Sequence, residues 1–221
     1  MEFKTLKIHI SDSIGSVSAS ISNLDTLKAM VVLAHGAGAG MHHNFMVRLS
    51  ESLASYGIGT LRFNFPYMEK GKKMPDFPAI AEKTVQVVLE ETHRMFPDTP
   101  IVGAGKSFGG RMTSQLLSRE ILPFVKAIIF YGFPLHPMGK PGTDRAKHLE
   151  KVPVPMLFLQ GTNDALAELS LITSVCGTLS SSTLMTIEKA DHSFNIGKKD
   201  TIVNLSKNTH DWLQELKIIS M

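Results

Sequence analysis

A single cysteine, Cys176, excludes any disulfide within the chain. Its neighbours are apolar and supply no cation that would stabilise a thiolate, so it is expected to be a small buried residue rather than a nucleophile. Charge of one sign is also missing. Twenty-three Lys and Arg are interspersed with 20 Asp and Glu, for a formal net charge of +3. No basic stripe emerges, so a nucleic-acid partner is not expected. No apolar run reaches the length of a bilayer span, which argues against a membrane partner. The opening MEFKTLKIHI has neither the basic start nor the small-residue cleavage site of a signal peptide, and a cytoplasmic protein is expected. What is abundant is apolar content, 43% of 221 residues. That is enough to bury one core, and the expected unit is a single α/β domain over 1–221.

Strand and helix patterns alternate. Glu2 to Ile10 and Val17 to Ile21 alternate polar and apolar residues as an antiparallel hairpin would. Ala29 to Ala34 (AMVVLA) is apolar throughout, the mark of a strand covered on both faces. Phe45, Met46, Leu49 and Leu53 then recur at helical spacing, closed by Gly57. Ile58 to Phe65 reads as a strand and Pro66 to Pro78 as a long polar loop. Ala81 to Met95 reads as a helix that must end before Pro97. The remaining strands are expected at Ile101 to Gly105, Lys126 to Tyr131, Val154 to Gln160 and Thr183 to Glu188. Helices are expected near 108–120, 167–178 and 201–217. Such alternation implies a mostly parallel sheet with helices on both faces.

The segment GAGKSFGGR, 103–111, admits two readings. A phosphate-binding loop, G-x-x-x-x-G-K-[ST], would need glycine where Pro100 stands, and proline has no N–H to offer a phosphate. The other glycine-rich segment, HGAGAG, fails the dinucleotide pattern G-x-G-x-x-G at Met41. No cofactor is expected. The second reading, G-x-S-x-G, puts Ser107 on a sharp turn between strand and helix, where a nucleophile stands above the sheet. A serine there could also serve only as a helix cap. Its partners decide the matter. Asp164 follows the strand VPMLFLQ and His192 follows TLMTIE, so the order is Ser, acid, His, each beyond a separate parallel strand. Asp191 and Glu168 are alternative acids, ranked behind Asp164. In this arrangement His192 takes the Ser107 proton and Asp164 fixes the imidazole. Backbone N–H groups of Ala37 and Phe108 are the expected oxyanion donors. His42 and His43 are adjacent, which is poor geometry for two ligands of one metal, and no metal is expected.

With these residues in place, LAHGAGAGMHH, RFNFPYM, GAGKSFGGRM, GFPLHPMGKP, LFLQGTND and EKADHSF resemble the α/β-hydrolase superfamily. More narrowly they are similar to small predicted hydrolases related to dienelactone hydrolase, a group with a testis-expressed hydrolase-like protein and a subunit of the non-specific lethal complex. The resemblance implies an α/β-hydrolase fold of about seven or eight strands without a large cap domain, and the Ser107, Asp164, His192 triad. Dienelactone hydrolases use a cysteine nucleophile where this chain has Ser107, so their lactone chemistry does not carry over. A small-molecule ester or thioester is the expected substrate, contacted by His35, Tyr67, Lys106 and His136. Lys70, Lys72, Lys73, Lys106, Lys140, Arg145 and His148, if gathered at the rim, would favour an anionic one. The alternative to an enzyme is a hydrolase-like binding or scaffold protein.

Overall fold

The computed structural model describes residues 2–23 and 26–220. The first two strands, β1 (Glu2–Ser11) and β2 (Gly15–Asn23), form an antiparallel hairpin, and β2 runs antiparallel to β4 (Ile58–Phe63). From β4 onward the neighbours are parallel: β3 (Ala29–Ala34), β5 (Ile101–Lys106), β6 (Val125–Tyr131), β7 (Met156–Gly161) and β8 (Ser182–Ile187). The order across the eight-stranded sheet is β1-β2-β4-β3-β5-β6-β7-β8.

Two cores follow from the period of two along each central strand. In β3, Ala29, Val31 and Leu33 face one core and Met30, Val32 and Ala34 the other, and all six are buried. One face is covered by α1 (Asn44–Ala54) and α6 (Ile202–Glu215), which bring Met46, Leu49, Leu53, Leu205, Trp212 and Leu213 to the sheet. A further short helix, α2 (Pro66–Glu69), precedes α3 (Pro78–Met95). The second face is covered by α3, α4 (Phe108–Leu117) and α5 (Leu169–Thr178), through Val85, Val88, Met112, Leu116, Ile172 and Cys176. Among the described residues, no helix is long and apolar enough to cross a membrane.

Two expectations are corrected. The strand read as Ile58 to Phe65 stops at Phe63, and the loop read from Pro66 contains α2, with Tyr67 buried. Proline at the first helical position favours this turn, and long-range bonds hold it. Glu69 accepts from the Ser18 N–H (2.9 Å) and from Asn64 (2.9 Å), and pairs with Lys7 (3.0 Å). Ser18 and Lys7 lie 51 and 62 residues away in sequence.

Candidate active site

The parallel strands β5, β7 and β8 deliver their carboxyl ends to one edge of the sheet. Ser107 occupies the junction of β5 and α4 with φ 50° and ψ −114°, a conformation that non-glycine residues rarely adopt. Crowding explains why the chain must pass here this way. A Cβ on Gly105 would stand 2.2 Å from the Gly110 nitrogen, and one on Gly109 would stand 2.4 Å from the Ala34 carbonyl oxygen. Two positions before and after Ser107, only a residue without a side chain fits.

The loops after β7 and β8 are pressed together in the same manner. The N–H groups of Thr162 and Asn163 donate to the Ile187 and Ala190 carbonyls at 3.1 and 2.9 Å, and a Cβ on Gly161 would lie 2.3 Å from Ala190 O. This brings Asp164 beside His192. The imidazole bridges the two others: Nδ1 is 2.7 Å from Asp164 Oδ2, and Nε2 is 2.8 Å from Ser107 Oγ. Asp164 is buried and its carboxylate is further held by the Leu166 N–H (2.7 Å) and by Gln160 Nε2. Gln160 is itself fixed by the Phe133 N–H at 2.9 Å. A carboxylate acceptor on Nδ1 keeps the proton there, leaving Nε2 free to accept from the serine hydroxyl.

The competing acids lie elsewhere. Asp191 turns back on its own loop, accepting from the Ser193 and Asn195 N–H groups at 2.8 Å each. Burial would raise its pKa, but the bonds from Asn195 and Ser193 and the charge of Lys106 outweigh it and the pKa falls. Glu168 is exposed at the start of α5.

A cavity of about 320 Å³ opens over Ser107, walled by Gly36, Ala37, Phe45, Lys106, Leu166 and His192 among others. Of the four side chains expected to touch substrate, Lys106 is at this wall. Its ammonium donates to the His192 carbonyl oxygen at 2.6 Å and lies 5.9 and 5.4 Å from the ring centroids of Phe45 and Phe194. Burial lowers its pKa to about 8, against the opposing pull of Asp164 and Asp191.

The other three stand behind the site rather than in it, because their polar atoms are taken up by backbone. His136 Nε2 accepts from the Glu168 N–H at 3.1 Å and Nδ1 bonds the Pro137 carbonyl at 2.9 Å. His35 Nε2 accepts from the Phe65 N–H at 3.0 Å, so its proton is on Nδ1, which donates to Gly36 O at 2.8 Å. Burial lowers its pKa to about 4, which keeps the ring neutral. The Tyr67 hydroxyl reaches the same Gly36 oxygen at 3.4 Å. Clamping that carbonyl aims the other end of the same planar peptide, the Ala37 N–H, in the opposite sense. The second amide of interest, Phe108 N–H, is the first of α4 and has no acceptor within its helix. Of the basic residues expected at the rim, Lys106 alone is among the residues lining the cavity. His148 is instead held by Ser114 Oγ at 2.7 Å. Among the described residues, no group of three or more His, Cys, Asp or Glu side chains is arranged to hold a metal ion.

Sequence reasoning missed Gln160, Phe45 and Phe194. Gln160 left one signal, a lone amide closing the apolar strand MLFLQ, whereas the two rings meet only through the tertiary fold.

Comparison with known proteins agrees with this architecture. A family model described as an alpha/beta hydrolase domain matches residues 27–217. An alpha-beta serine hydrolase homologue from Coxiella burnetii superposes with a TM-score of 0.78 at 18% identity, covering 95% of this chain and 97% of the other. A Xanthomonas campestris serine hydrolase described as lacking a lid gives 0.77 at 18% identity, covering 98% and 95%. A dienelactone hydrolase from Anabaena variabilis gives 0.77 at 15% identity, covering 97% of each chain.

Proposed function

Because the chain belongs to the α/β-hydrolase domain family, we propose that it is a serine hydrolase that cleaves a small carboxylic ester or thioester through an acyl-enzyme. The observation that carries this reading is the unbroken hydrogen-bonded series from Ser107 Oγ through His192 to Asp164. Nε2 of His192 takes the hydroxyl proton as Oγ attacks the acyl carbonyl. The imidazolium that forms is stabilised by the buried Asp164 carboxylate. The carbonyl oxygen, now an oxyanion, is received by the N–H groups of Ala37 and Phe108, and each such donor is commonly worth about 3 kcal/mol. Collapse passes the proton from Nε2 to the leaving oxygen or sulfur. Water then repeats the sequence on the acyl-serine, with His192 as base.

The strained Ser107 backbone supports this role over that of a simple cap, since it makes no side-chain capping bond to α4. The serine hydrolase without a lid among the similar structures supports a site open to small acyl groups. Turnover of p-nitrophenyl acetate tests the reading. Wild-type protein is expected to hydrolyse it, and folded Ser107→Ala to lose activity by a factor on the order of a million. Equal rates for the two proteins would overturn the proposal.

A further inference from the structure

A second hollow, of about 600 Å³, adjoins the cavity over Ser107. His43, Phe45 and Ser193 belong to both walls, and the second wall continues along the chain just after His192. Its lining is charged. Arg48, Lys198 and Lys199 face a single carboxylate, Asp200, and that carboxylate is paired with Arg48. Neither lysine is in an ion pair with a carboxylate among the described residues.

Proton chemistry orients a substrate in the cavity over Ser107. The acyl oxygen must face the amides of Ala37 and Phe108, whereas the leaving atom must face Nε2 of His192, which protonates it. The hollow is walled by Ser193, Phe194 and Asn195, the residues that directly follow His192. It thus adjoins the loop that carries the proton donor. We infer that it is a subsite for an alcohol or thiol leaving group that carries an anion, phosphate or carboxylate, beyond the scissile bond; the assignment of sides rests on Ser107 being the nucleophile.

Two ammonium groups beside a carboxylate already paired with Arg48 raise the local concentration of an anionic substrate, and salt screens the effect because both are exposed. Phe45, which lines both hollows and stacks on the buried Phe194 ring with centroids 6.0 Å apart, offers an apolar surface between the reacting centre and these charges. A chain of methylene groups suits that stretch.

The test uses the acetyl thioesters of mercaptohexyl phosphate, mercaptohexanoate and mercaptohexanol, which differ in the charge of the distal group. Binding is measured by calorimetry on Ser107→Ala protein, where turnover plays no part. Both anions are expected to bind roughly tenfold more tightly than the alcohol at low ionic strength. The advantage should shrink with added salt and disappear when Lys198→Glu and Lys199→Glu are added. In the protein retaining Ser107, labelling by a small neutral fluorophosphonate should be the same with and without the two glutamates, which shows that the centre itself is intact. Equal binding of all three thioesters, or a preference that survives charge reversal, overturns the inference. Preferential binding of the anions by a protein that turns over none of the three would uphold the subsite and refute the serine hydrolase reading.

Discussion

Beside Ser107, an apolar residue would pack without the desolvation that Lys106 incurs. Its pKa falls from 10.5 to about 8 because the cavity wall and two phenyl rings exclude water from the ammonium. The folded pKa lies below the unfolded one, so between pH 8 and 10.5 the unfolded chain holds more proton and stability rises with pH. Below pH 8 the folded protein bears the whole penalty, at most about 3 kcal/mol. What the ammonium does in return is hold the carbonyl of His192. Lys106→Met is therefore expected to melt at the same or a higher temperature at pH 7, while kcat drops roughly tenfold or more as the imidazole loses its fixed position. Calorimetric melting and ester turnover on the same sample check this. A parallel fall in both would reduce the lysine to a packing element. At this scale the meeting of Ser107, Asp164 and His192 was legible because each stands beyond the end of a strand. The backbone bonds of His35, Tyr67 and His136 left no such signal, since they form only in the folded chain.

Among the elements, the glycines around Ser107 and Gly161 hold the two halves of the site in place. Adding a methyl group at Gly105, Gly109 or Gly161 drives carbon into main-chain atoms that no rotamer change can move. Each alanine substitution is expected to cost at least about 1 to 3 kcal/mol and to displace Ser107 or His192. Gly177, near the end of α5, meets nothing within 4 Å and has a helical neighbourhood. Gly177→Ala should instead stabilise by about 0.5 to 1 kcal/mol. Urea unfolding of the four variants distinguishes a steric origin from a general intolerance of change at glycine. The central strands were readable because burial on both faces leaves them apolar along their whole length, as in β3. Helix α2 was not, since a single turn carries no period and Glu69 is fixed by partners in β1, β2 and the chain after β4.

Across the whole molecule, acid sensitivity follows from histidines that fold in the neutral form. His35 and His148 both have pKa values lowered to about 4, His35 mainly by burial and His148 by burial and then by Arg111 and Arg119. A depressed histidine pKa leaves the fold at full stability above about 6.5 and withdraws it as pH falls toward 4. The melting temperature should thus decline between pH 6.5 and 4. His148→Gln, which can keep a bond to Ser114 without titrating, should flatten the decline. Melting curves over that range measure it, and an unchanged slope in the variant would assign the sensitivity elsewhere. At His35 the bond lost to acid is the one Nε2 accepts from the Phe65 N–H, whereas the Nδ1–H bond to the Gly36 carbonyl survives protonation.

The most direct measurement of the central claim is the intact mass of folded protein after exposure to a fluorophosphonate, followed by peptide mapping. One adduct is expected, on Ser107, formed rapidly in wild-type protein and far more slowly in His192→Ala. Folded wild-type protein that stays unmodified, or an adduct mapped to any other serine, would contradict it.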